Sequence, residues 1–224
     1  MTAIDLAPDA QAHGKDFFHR VRRRLSLDVP AALHDPSAAA TRGDLDLNPE
    51  TWAKAGVAAV KPAAVLIAVV DRETPTVILT KRTDDLPSHA GQVAFPGGKI
   101  DPGDATPASA ALREAWEEIG LAPELVEPLG YLDLYLTFSG FRILPTVARV
   151  APGFVLTPNS HEVSDIFEVP LAFLMTPENH LLKSRDWKGI VRHYYEIPYQ
   201  DRYIWGVTAG ILRNMYERIC RELE

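Results

Sequence analysis

Cysteine is almost absent. Cys220 is the only one in 224 residues, which excludes an intrachain disulfide and a cysteine-rich zinc site and suits a reducing compartment. Long apolar runs are missing too: the longest, Pro62 to Val70, falls well short of the roughly 20 residues a membrane-spanning helix needs. No apolar run of signal-peptide type opens the chain. Basic charge is in deficit, with 23 Lys and Arg against 30 Asp and Glu for a net charge of −7, a poor basis for general nucleic-acid binding. No segment recurs with a period of about 20–50 residues, which excludes repeat architectures. Hydrophobic residues make up 46% and charged residues 24%, close to globular averages. The expectation is a soluble, cytoplasmic protein with neither a membrane nor a nucleic acid as partner, and with the choice between monomer and homodimer open.

The organisation reads as an N-terminal arm over residues 1–54 followed by one domain over 55–224. Met1 to Ala12 are small and polar without a clear period, and poor order is expected there. Phe17, Phe18, Val21 and Leu25 share one face of a short amphipathic helix, with the arginines mostly off it. Val29 to Lys54 is rich in Pro, Asp and Ala and reads as a connecting arm. From Ala63 the pattern turns to β: Ala63–Val70 and Thr76–Thr80 are β-branched runs separated by a turn, a hairpin signal. Thr106-Pro107 is a helix start and Gly120 a helix stop. Further strands are expected at Leu129–Leu136, Phe141–Val150, Ile166–Val169, Leu181–Asp186 and Arg192–Ile197, and a closing helix from about Ile204 to Arg221. Strands interrupted by a few helices, without regular βαβ alternation, indicate an α+β domain.

The chemistry is concentrated in the helix ending Arg113-Glu114-Ala115-Trp116-Glu117-Glu118-Ile119-Gly120. At about 100° per residue, Glu117 and Glu118 fall roughly 60° and 40° to either side of Glu114, so the three carboxylates share a face. Ala108, Leu112, Ala115, Trp116 and Ile119 gather opposite, the side expected to pack on the sheet. Like charges three and four apart destabilise a helix, and acids in its last turn oppose the macrodipole. A cation relieves both. Oxygen-only donors point to Mg²⁺ or Mn²⁺ rather than zinc.

The stretch from Gly98 to Leu121 resembles the Nudix box: a glycine, five residues, Glu, seven residues, Arg-Glu, an apolar residue, any residue, Glu-Glu, any residue, Gly and an apolar residue. Gly98, Arg113, Glu114, Glu117, Glu118, Gly120 and Leu121 fit, with Ala115 as a small apolar member. Asp104 fills the first acidic position and lies one residue too far from Arg113, which leaves its role open between a metal contact and a cap. The resemblance implies a Nudix fold, a mixed β-sheet sandwiched between helices, and hydrolysis of a nucleoside diphosphate linked to another moiety. It also implies that Glu114, Glu117 and Glu118 hold divalent ions while Arg113 orients a glutamate.

Flanking residues resemble the second signature of the Nudix branch that hydrolyses coenzyme A: Leu79-Thr80-Lys81-Arg82-Thr83, then Gly91, then Phe95-Pro96-Gly97-Gly98. Lys81, Arg82, Gly97 and Gly98 are thereby candidates for substrate binding. The signature's second arginine is replaced by Pro87, with His89 as the nearby substitute donor. Glu162, after Asn159-Ser160 in an expected loop, is a candidate metal ligand or base. His161-Glu162-Val163, Phe167–Leu171 and Ile204–Ala209 also resemble this branch. Implied is a Mg²⁺- or Mn²⁺-dependent CoA diphosphatase that takes a small-molecule substrate and yields 3′,5′-ADP and 4′-phosphopantetheine. The rival readings are a Nudix hydrolase of ADP-ribose or NADH, favoured by the missing arginine, and a catalytically silent Nudix-like binding module. Retention of Arg113 and the three glutamates argues against the last.

Overall fold

The computed structural model describes residues 10–35, 37–38, 42–50, 61–86, 88–187 and 189–221. The expected disorder of Met1 to Ala12 falls largely outside these residues, as do the 54/55 boundary and Pro87. The centre is a mixed sheet ordered β1-β7-β8-β2-β3-β4. Its members are β1 (Arg42–Gly43), β2 (Lys61–Val70), β3 (Thr76–Arg82), β4 (Val93–Ala94), β7 (Tyr135–Leu136) and β8 (Phe141–Val150). Three more strands attach to it: β5 (Gly97–Lys99) on β2, β6 (Val126–Tyr131) on β8 and β9 (Val163–Pro170) on β3. β2 runs parallel to β8 over its whole length, from Lys61↔Phe141 to Val70↔Val150. Its other edge is shared: Val69 and Val70 pair antiparallel with β3, while Ala63 to Val65 pair antiparallel with β5. Parallel pairing buries β2 on both faces, which explains its near-continuous apolar run.

Side-chain alternation sorts β2 into two cores. Ala64, Leu66, Ala68 and Val70 face helix α2 (Pro107–Ile119), through Ala111, Ala115 and Ile119. Ile67 and Val69 face the opposite layer, made of α1 (Ala10–Arg24), α4 (Val207–Met215, continued by a π turn, Tyr216–Cys220) and a second sheet. That sheet is β10 (Leu181–Trp187), β11 (Ile190–Tyr199) and β12 (Arg202–Trp205), all antiparallel; a one-turn helix α3 (Leu171–Leu174) precedes it. The mixed sheet is therefore sandwiched as expected.

Several details differ from the sequence reading. The described residues of the segment read as a connecting arm are part of the fold: Leu33 is fully buried, β1 pairs with β7, and the Asn48 amide bonds both backbone groups of His193. These contacts are long-range and leave no local period to read. The amphipathic helix buries Phe17, Phe18, Val21 and Leu25 as its pattern required, and two of its arginines tie it to the domain. Arg22 pairs with Glu127, and Arg24 caps the C-terminal carbonyls of residues 218, 219 and 221. The last helix begins at Val207 rather than Ile204, because Ile204 and Trp205 extend β12 and Gly206 breaks the chain at φ 62°.

Candidate active site

Helix α2 starts with a capping box, in which the Thr106 hydroxyl accepts from Ser109 N and the Ser109 hydroxyl accepts from Thr106 N. Gly120 ends it in the left-handed region at φ 67°. Its sheet-facing stripe is centred on Ala111 and Ala115, and these small residues let the helix approach β2 closely. That centring puts Glu118 toward the sheet, Glu114 on the flank and Glu117 outward, since each residue advances about 100°. The side chain of Glu118 is only 4% exposed, that of Glu117 53%. Trp116, expected to pack on the sheet, is 54% exposed; the alanine stripe rather than the tryptophan makes the contact.

Two glycines of β5 shape the space around these acids. Gly97 N donates to Glu118 Oε2 at 3.2 Å. A Cβ on Gly97 would lie 2.5 Å from Ala64 O and 2.6 Å from Val65 Cα, and one on Gly98 would lie 2.5 Å from Glu114 Oε1. The bare Gly98 thus cradles the Glu114 carboxylate. From β3, Arg82 brings Nη1 to 3.8 Å of Glu118 Oε1, and its Nε is buried without a hydrogen-bond partner. Lys81, by alternation, sits on the other face of β3 opposite Asp165, and Arg202 pairs with Asp165 there. Strand geometry therefore separates Lys81 from the acids that Arg82 meets. His89 sits in the exposed β3–β4 turn at φ 58° with Nδ1 2.8 Å from Gln92 Oε1.

Arg113 organises the front of the site. Its Nε and Nη2 clamp the two Asp104 oxygens at 3.1 and 3.0 Å, and Nη1 reaches Glu114 and Glu117 at 3.1 Å each. Asp104 also accepts from Asp101 N at 2.8 Å. It thus anchors Arg113 and caps the turn, and the one extra residue before the helix is absorbed in that turn. Arg113 holds the Asp104 carboxyl below its ordinary range and is itself raised. Because a depressed carboxyl stabilises the fold only while ionised, Asp104→Asn is expected to cost about 1.5–3 kcal/mol at pH 7, a penalty that shrinks as the pH falls through and below 3.8. Urea unfolding of both proteins at pH 7 and pH 3 measures it.

Behind the helix, the segment after β8 returns to the site. Thr157 N donates to Ile119 O and Asn159 N to Glu118 O, so the orphan carbonyls at the helix end hold the chain. Thr83 N donates to Glu162 O at 3.0 Å and the Thr83 hydroxyl to His161 O at 3.4 Å. Glu162 is thereby set close enough to repel Glu114 and Glu118 electrostatically. Burial is the main force on both: it raises Glu114 and pushes Glu118 up to about 7, with Gly97 N and Arg82 opposing and the neighbouring acids adding. Thr83 and Asn159 had no signal in the sequence as positioning residues, since their effect runs through backbone groups.

Among the described residues, no three acids or histidines already converge as a metal cage; Glu117 is turned to Arg113. The donors nonetheless fit a divalent cation. They are all oxygen, the acids repel one another, and Glu118 is buried with one weak cationic neighbour.

The NUDIX domain family matches residues 60–189. Two relatives, the Nudix hydrolases NudL of Yersinia pestis (strain Pestoides F) and of Yersinia pseudotuberculosis serotype O:1b (strain IP 31758), are each 40% identical over 157 residues, 70% of this chain and 79% of theirs. A solved NUDIX hydrolase from Alicyclobacillus acidocaldarius is 18% identical, covering 72% of this chain and 93% of its own, with a TM-score of 0.46. The box helix described above lies wholly inside the matched region, and the chain belongs to the Nudix family of hydrolases.

Proposed function

We propose that the chain hydrolyses the pyrophosphate of coenzyme A, and of acyl-CoAs, to 3′,5′-ADP and 4′-phosphopantetheine. The observation that carries this reading is the meeting of the two signatures: Arg82, from the CoA-type stretch, lies 3.8 Å from Glu118 of the box helix. A guanidinium with an unpartnered buried Nε beside a carboxylate suits a phosphate contact. Gly97 and Gly98 let β5 lie against β2 and the Glu114 carboxylate, where any Cβ would intrude. Glu114 and Glu118, with Glu117 and Glu162 beside them, would hold Mg²⁺ or Mn²⁺, which polarises phosphoryl oxygens and lowers the pKa of water. Arg113 keeps Glu114 and Glu117 oriented through charge-assisted bonds. Glu162, whose loop is held by Thr83 and Asn159, is the candidate to accept a proton in this reading. His89, in the exposed β3–β4 turn, and Lys81, on the other face of β3, lie away from the acids and are left to contacts outside the reacting phosphates.

A substrate panel of CoA, acetyl-CoA, 3′-dephospho-CoA, ADP-ribose and NADH with product masses tests the reading. Cleavage of CoA between its phosphates is expected with Mg²⁺ or Mn²⁺ and complete loss on adding EDTA. Faster turnover of ADP-ribose or NADH would favour the second reading, which rests on Pro87 in place of the signature's second arginine. No turnover of any substrate would favour a silent module.

A further inference from the structure

The hairpin of β10 and β11 plays no part in the site. Its strands pair from Leu181↔Glu196 to Trp187↔Ile190, and every residue of β10 is exposed. On one face the rung nearest the turn is Trp187 opposite Ile190, the next is Arg185 opposite Arg192, and the third is Lys183 opposite Tyr194. Like charges directly opposite each other destabilise a sheet, and neither of the first two rungs holds an acid. Lys183 reaches back to Glu196 at 3.3 Å, and Asp186, on the other face, is engaged by Gly189 N in the turn. Arg192 lies over the rings of Phe138 and Trp187, with its Nε buried and unpartnered. Three apolar side chains near the turn are open to solvent: Trp187 is 51%, Ile190 43% and Val191, on the other face, 56% exposed.

We propose that this hairpin docks the protein on an anionic lipid bilayer, with Trp187 and Ile190 entering the boundary between headgroups and acyl chains and the exposed Arg185 meeting the phosphates. Two residues along a strand advance about 6.6 Å, which sets the arginine rung at headgroup level when the tip sinks to the roughly 5–10 Å reached by interfacial segments. Tryptophan favours that boundary, and a guanidinium fork matches phosphate oxygens. A second copy fits less well, because pairing across a two-fold axis sets the same arginines of both copies in one patch. The net charge of −7 is screened over about 8 Å at physiological salt, so the tip presents its local charge. No described helix is long and apolar enough to cross a membrane; docking of this kind is peripheral.

The whole protein is sedimented with vesicles of phosphatidylcholine alone and of phosphatidylcholine mixed equally with phosphatidylglycerol. It is expected to sediment with the mixed vesicles only, and to be released by high salt. Trp187→Ser is expected to abolish this. Arg185→Glu removes one attraction and adds one repulsion, weakening partition on the order of twentyfold, yet it relieves the like-charge rung and so holds or raises the melting temperature. Hydrolysis of a soluble substrate is unchanged in both. The proposal is overturned if the wild-type chain stays in the supernatant, if it sediments equally with neutral vesicles, or if both variants bind like the wild type. It is overturned as well if Trp187→Ser instead splits a dimer in sedimentation equilibrium.

Discussion

Glu118→Gln is expected to lower turnover by about a thousandfold or more while making the metal-free protein more stable. The loss follows from removing a buried charged donor where several kcal/mol of cation binding and transition-state stabilisation are at stake. The gain follows from proton linkage. Unfolded, the carboxyl titrates near 4.5; folded, burial holds it up to about 7. Between these values the folded state keeps a proton that the unfolded state has released, so stability falls as pH rises and stays reduced above the folded value. The gap corresponds to on the order of 3 kcal/mol, or roughly 6–12 °C in melting temperature for a chain of this size. In EDTA, the variant is therefore expected to melt above the wild type at pH 8, and the two to converge near pH 4.5. Divalent cation should raise the wild type alone. Equal melting temperatures at pH 8 in EDTA would show that Glu118 carries no burial cost, and undiminished turnover would place the cation elsewhere.

Alanine at the two neighbouring glycines should separate folding from catalysis. Gly97→Ala drives a methyl into backbone atoms, at 2.5 Å from Ala64 O and 2.6 Å from Val65 Cα, which cannot give way without moving β5 off β2. A loss of about 3 kcal/mol or more is expected, at the upper end of ordinary substitutions. Gly98→Ala meets only the Glu114 carboxylate, at 2.5 Å, which swings aside on its own rotamers at a cost of about 1 kcal/mol. Turnover is the quantity that should fall, by about a hundredfold, because a donor displaced by an ångström no longer serves the reacting geometry. Urea unfolding and steady-state kinetics on the two variants test the split. A destabilised Gly98→Ala with normal turnover would mean that Glu114 is structural.

Much of this was legible along the chain because the signals were local. A threonine cap before a proline, a glycine at a helix end and a β-branched run each depend on a few consecutive residues. Their boundaries in the structure fall close to expectation for α2, β2, β3 and β8. The contacts of Asp104 were not legible, because a one-residue change of spacing can be absorbed in a turn or can move a side chain to another face, and only the tertiary structure shows it clamped by Arg113. Leu33 and Asn48 were missed for a related reason: each is fixed by partners far away in sequence, and nothing periodic surrounds it.

The sequence by itself determined the α+β class, the box helix with its caps and the family resemblance, and it carried the expectation that three glutamates sharing a helix face hold a cation. These rest on helical period, turn chemistry and charge, which act between near neighbours. Tertiary structure alone decided that the three glutamates are unequal, with Glu118 buried, Glu114 cradled by Gly98 and Glu117 open to solvent. It also decided that Arg82 meets Glu118 while Lys81 faces away, and that Glu162 is tethered beside them by Thr83 and Asn159. Burial and proximity across the sheet depend on how strands far apart in the chain are registered, and a carboxylate's affinity for protons or cations follows from that environment rather than from its place in a motif.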